Sequence, residues 1–131
     1  MQRIHYLLLP LIVCFAIGCN NQTPSGNETS TPPTSEDLAA RLEAAKLIRN
    51  IKEQDNALAD LAKDAARAGD DNATKDTIKA IRTTTIHDNA AAEAAVLLAK
   101  NGKSAEATEV AKLISQTSLC DETLAKIAKG D

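Results

Sequence analysis

A chain of 131 residues with a formal net charge of −3 has room for one modest domain. Its rings are one Tyr, one Phe and no Trp. Phosphate neutralisation needs a basic face and base stacking needs protein rings, so nucleic-acid binding is not expected.

The N-terminal stretch "MQRIHYLLLPLIVCFAIGCN" places Arg3 before an apolar run from Tyr6 to Ile17, with Gly18 directly before Cys19. The run is shorter than the roughly 20 residues a helix needs to cross a bilayer, which favours a secretion signal over a spanning segment. Ala16-Ile17-Gly18-Cys19 resembles the bacterial lipoprotein signal, or lipobox. The resemblance implies that 1–18 is a signal peptide and that Cys19 becomes the acylated (palmitate-type) N-terminus, anchored in a lipid bilayer. Asn20 stands where Asp would signal inner-membrane retention in the enterobacterial type of sorting, so the implied address is the outer membrane, facing the periplasm. Residues 19–35, from the lipidated Cys through "NNQTPSGNETSTPPTS", are rich in Asn, Ser, Thr and Pro and are expected to form a disordered tether. Asn21, Asn27 and Asn72 begin Asn-x-Thr triplets, which matter only in a glycosylating secretory route.

Residues 36–131 are expected to form the folded domain. They contain no aromatic residue, and alanine fills roughly a quarter of them. Ala-rich, charge-dotted sequence with few Gly or Pro predicts an all-α domain of closely packed helices. Thr34, with Asp37 placed to close a capping box, starts the first helix. A shift of 33 positions aligns the domain with itself without a gap. Asp55-Asn56-Ala57 falls on Asp88-Asn89-Ala90 and Asp121-Glu122-Thr123, Gly69 on Gly102, and Ile48 on Ile81 and Ile114. Such a period predicts an αα-solenoid, right-handed, of about three two-helix repeats.

In each unit the first helix is expected to bury Ala44, Leu47, Ile48 and Ile51; then Ile78 and Ile81; then Val110, Ala111 and Ile114. Asp55, Asp88 and Asp121 are the expected N-caps of the second helix, with Ile86 and Leu119 before two of them as hydrophobic staples or inter-unit packing. That helix buries Leu58, Leu61, Ala62 and Ala65, or Ala91, Ala94, Ala95 and Leu98, and ends at Gly69 or Gly102. Asp71 and Ser104 are expected to cap the helix that follows. Gly102-Lys103-Ser104 has the ending of a phosphate-binding loop, but the position that must be Gly is Leu97, inside a helix. It reads as a helix stop followed by a helix start.

Read from Asp55, units 55–87 and 88–120 resemble degenerate tetratricopeptide (TPR) repeats. Ala62 or Ala95 stands on the first helix, Gly69 or Gly102 at the turn, and Ala107 on the second helix. "DNALADLAKDAARAGD" follows a bacterial variant of that pattern, and HEAT-like stacking is the rival label. Flanking helices are expected at 36–52 and 121–130. The resemblance implies a concave protein-binding face on the helix before the Gly. Asn56, Lys63, Arg67, Asn89, Val96 and Lys100 are the candidate partner-binding residues, with Ala59, Ala66, Ala92 and Ala99 among them.

Chemistry has little to draw on. His87 and Cys120 occupy equivalent places one unit apart, and a nucleophile and its base must meet at hydrogen-bond range. The expected state is a half-buried thiol and an exposed imidazole. No cofactor, metal or catalytic group is assigned. The sequence therefore predicts a non-enzymatic, membrane-anchored adaptor or assembly factor that binds an unidentified protein. The alternatives are a self-associating structural lipoprotein, stacking through an apolar end, and a Cys120-centred redox protein.

Overall fold

The structure is a computed structural model that describes residues 33–130. The expected signal peptide 1–18, the expected lipidation site Cys19 and most of the expected tether lie outside the described residues. All regular structure within them is helical: α1 Ser35–Lys46, α2 Ile51–Ala68, α3 Asp71–Ala80, α4 Thr84–Lys100, α5 Ser104–Ala111 and α6 Thr117–Lys129. Among the described residues no helix is long and apolar enough to cross a membrane.

Three helices begin four residues before the aspartates expected to cap them. Asn50 caps α2, its side chain accepting from the N–H groups of Lys52 and Glu53, while Thr83 and Gln116 precede α4 and α6. Asp55 and Asp88 are therefore buried inside helices, and Asp121 lies exposed on α6. Ile86 and Leu119 are likewise helical and half-buried against the core, which fits the packing alternative and not the staple. The first helix also stops earlier than its pattern suggests. α1 ends at Lys46 and buries Leu38 and Ala45, whereas Ala44 is exposed and Leu47 and Ile51 are 81% and 53% exposed. Asp70, not Asp71, caps α3 by accepting from Ala73 N–H at 2.9 Å. Ser104 is the first residue of α5 and makes no capping bond. Thr34 does cap α1, accepting from Asp37 N–H at 3.3 Å, while the Asp37 carboxylate turns 3.9 Å from Arg41 instead of closing the box.

The helix ends at glycine are as the sequence indicates. Gly69 and Gly102 have φ of 73° and 77°, a region that costs little without a Cβ. Asn101, just before the second, donates from Nδ2 to the carbonyls of Ala66 and Arg67 at 2.8 and 3.0 Å, so α4 closes off last-turn acceptors of α2.

The helices alternate between two layers. α2 packs on α4 and α4 on α6, while α1, α3 and α5 lie against them and contact one another lightly. Each expected core position of α2 and α4 is buried: Leu58, Leu61, Ala62 and Ala65, and Ala91, Ala94, Ala95 and Leu98. Alanine at these contacts lets two backbones approach closely, which is why an aromatic-free core fills its space. Ile78, Val110, Ala111 and Ile114 join Ala62, Ala91, Ala94, Ala95 and Leu98 in one cluster, while Leu58 packs with Ala45, Ile81 and Ala90, and Leu61 and Ala65 pack with Leu38.

The buried aspartates answer a need that the helices create. The N–H groups just before a helix have no intrahelical acceptor. Asp55 accepts from Arg82 N–H at 3.1 Å and Thr83 N–H at 2.9 Å. Asp88, 33 positions on, accepts from Ser115 and Gln116 N–H, both at 3.0 Å. Each carboxylate thus holds the entry of the helix two ahead. Burial pushes both acids up, but hydrogen bonds from Thr83 and the Arg82 and Thr83 amides, with the Arg82 charge, hold Asp55 below 3.8. The Ser115 and Gln116 amides and His87 do the same for Asp88.

Candidate functional site

Helix spacing puts residues three, four and seven apart on one stripe. Lys63 and Arg67 share such a stripe on α2. Asn89, Glu93, Val96 and Lys100 share one on α4, and Leu119, Thr123 and Lys126 one on α6. Because α4 packs against both neighbours, the three stripes converge on a groove of about 630 Å³. Its floor is Ala92, Val96, Leu97, Leu119 and Thr123, and its rim carries Lys63, Arg67, Lys100 and Lys126 against the single acid Glu93.

The groove gathers five of the six residues the sequence proposes: Lys63, Arg67, Asn89, Val96 and Lys100. Asn56 is exposed on α2 but stands outside it. Ala66 is fully buried, turned into the α2–α4 contact rather than onto the face. The contribution of α6 was not anticipated, because a helix assumed to start at Asp121 leaves Leu119 in a loop. The overlooked signal is Asn50, a cap by residue type, whose place carried along the 33-residue spacing falls on Thr83 and Gln116, moves each start back and turns Leu119, Thr123 and Lys126 into one helical stripe.

The rim cations differ in how firmly they are held. Lys63 is 2.7 Å from Asp60 and 3.6 Å from Glu93, and the Asp60 bond, with both acidic charges, raises its pKa above 10.5 against the opposing effect of burial. Arg67 pairs with Asp64 at 2.8 Å, an acid that Arg41 also holds at 2.7 Å. Lys126 is 2.8 Å from Glu122. Lys100 is exposed and makes no ion pair among the described residues. These partners are surface pairs, worth little individually and readily exchanged for an incoming carboxylate. Thr123, buried in the floor, spends its hydroxyl on Leu119 carbonyl at 2.7 Å.

His87 and Cys120 are engaged separately. His87 Nδ1 is 2.9 Å from Asp88, and facing an ionised carboxylate it carries the proton. At 19% side-chain exposure the imidazole is mostly covered, not exposed as expected. Cys120 is half-buried, and its Sγ donates to Ala111 carbonyl at 3.4 Å. Gln54 reaches the equivalent carbonyl of Ala45 from the equivalent place on α2, at 3.4 Å. Position and bond together make Cys120 a packing residue of α6. Among the described residues, no three His, Cys, Asp or Glu side chains are grouped to hold a metal ion. No family model, curated protein or solved structure matches this chain.

Proposed function

We propose that this protein is a membrane-anchored adaptor or assembly factor that binds an acidic segment of another protein in the α2–α4–α6 groove. The groove carries the reading: four cations around an apolar floor suit a short peptide or helix that presents carboxylates at its edges and aliphatic groups at its centre. The fold reading that goes with it is a right-handed αα-solenoid of TPR-like units, α2–α3 and α4–α5, with α1 and α6 flanking. It is supported by helix starts at Ile51, Thr84 and Thr117 and at Asp71 and Ser104, each set spaced by 33 residues. The lipobox at Ala16–Cys19 supplies the anchor in this reading, at the outer membrane facing the periplasm.

The test is photo-crosslinking in intact cells. A reactive residue at Lys100 or Lys126 samples the groove, and one at exposed Lys79 or Lys112 serves as control. A discrete heterologous adduct from the groove positions alone is the expected result. Equal labelling from all four, or adducts only between copies of this chain, overturns the adaptor reading.

A further inference from the structure

We infer that the two ends of this helical domain are complementary, and that a second copy docks head to tail with its α1–α2 loop seated on Asp121. The inference rests on the 33-residue equivalence and goes beyond the groove, which it leaves free.

The interior shows what such a junction looks like. Asp55 of α2 accepts from Arg82 and Thr83 ahead of α4, and Asp88 of α4 accepts from Ser115 and Gln116 ahead of α6. The third member of the series is Asp121, exposed on α6 and without a hydrogen bond or ion pair among the described residues. The apolar face beside it is equally incomplete. Leu124, Ile127 and Ala128 stand 33 positions after Ala91, Ala94 and Ala95, each fully buried, yet the first two are half-exposed and Ala128 is exposed. α6 thus presents the surface that α2 and α4 each cover with the next pair of helices.

The other end supplies the missing half. Arg49 and Asn50 precede α2 as Arg82 and Thr83 precede α4, so their N–H groups are the ones such a carboxylate would receive. Arg82 also acts on Asp55 through its charge, and Arg49 repeats that cation. Arg41 and Ala44 on α1 and Ile48 just after it are equivalent to Thr74, Thr77 and Ile81, which are 0%, 1% and 6% exposed. Here they line an open hollow of about 350 Å³ with Ala57 and Leu61. Leu47 and Ile51, the exposed large hydrophobics of the described residues, flank the same loop. The order of layers also matches, since α6 followed by the α1 and α2 of a second copy continues the alternation without a break. A heterologous contact of this kind lets every added copy offer the same two ends, so it propagates in one direction.

The full chain in detergent, mixed from unlabelled copies carrying a photo-reactive residue at Leu47 and heavy-isotope copies without it, tests the junction. Adducts joining position 47 to residues 121–128 of a differently labelled copy are expected. At sub-saturating concentration Asp121→Ala lowers their yield about tenfold, as does Ala128→Lys, which replaces an exposed residue and leaves helicity unchanged. Adducts confined to one copy, no adduct to 121–128, or a yield indifferent to Asp121→Ala overturns the inference. The equivalence beneath it is read separately by melting Asp55→Ala and Asp88→Ala. If both are destabilised and the adducts are absent, only the docking fails. If neither is destabilised, the equivalence fails with it.

Discussion

Asp55, Asp88 and Asp121 are the same amino acid at the same spacing, and their surroundings give them different weight. Asp88 is buried and accepts two backbone N–H groups and the His87 imidazole, so Asp88→Ala strands two donors in the interior. Hydrogen bonds to a charged group are worth about 1.5–3 kcal/mol, and the expected loss is about 2–3 kcal/mol in urea denaturation. Asp121→Ala, at an exposed position, is expected to stay within about 0.5 kcal/mol under conditions where the chain is monomeric. The same carboxylates make stability depend on acid. Their folded-state values lie below the 3.8 of an unfolded Asp, so their contribution is complete above that value and disappears as pH falls through the lower, folded-state one. The urea midpoint is therefore expected to drop as pH goes below about 4, and Asp88→Asn, which cannot titrate, to lose less of its remaining stability over that interval.

Among elements, the pairing of α2 with α4 depends on small side chains. Ala95 is fully buried in the largest core cluster, and Ala95→Leu forces extra volume into a contact that has no room for it. The expected cost is about 1–3 kcal/mol, seen as a lowered melting temperature by circular dichroism. The helix-ending Gly69, at φ 73° with the Lys103 stem 3.5 Å from where a Cβ would sit, is expected to lose about 1 kcal/mol as Gly69→Ala. Much of this layer was legible in the sequence, because the apolar spacing of Leu58, Leu61, Ala62 and Ala65 and the glycine stops are local signals. The starts of α2, α4 and α6 were not. An Asp before an apolar run is a good cap by type, and nothing within reach of Asp55 along the chain reveals that its acceptors serve Arg82 and Thr83, 27 and 28 residues away. For the same reason the α2 and α4 walls of the groove were legible and the α6 wall was hidden.

For the whole molecule, the sequence-derived expectations concern anchoring and recognition. Cys19→Ser is expected to abolish metabolic labelling with a fatty-acid analogue and to release the chain from the membrane pellet. In the groove, Lys100→Glu together with Lys126→Glu should weaken capture of an acidic partner about tenfold by equilibrium binding, with unchanged melting, since both side chains are solvent-facing. Asymmetry follows from the aspartate bonds. Each runs forward, from a carboxylate to an entry loop farther along, so dependence has a direction. Removing α1 leaves both carboxylates with their donors, whereas removing the chain beyond Ala111 strips Asp88 of both backbone donors and leaves it His87 alone, while Asp55 stays satisfied. Through these bonds, loss of the C-terminal helix is felt by the helix before it, whereas loss of α1 breaks none of them.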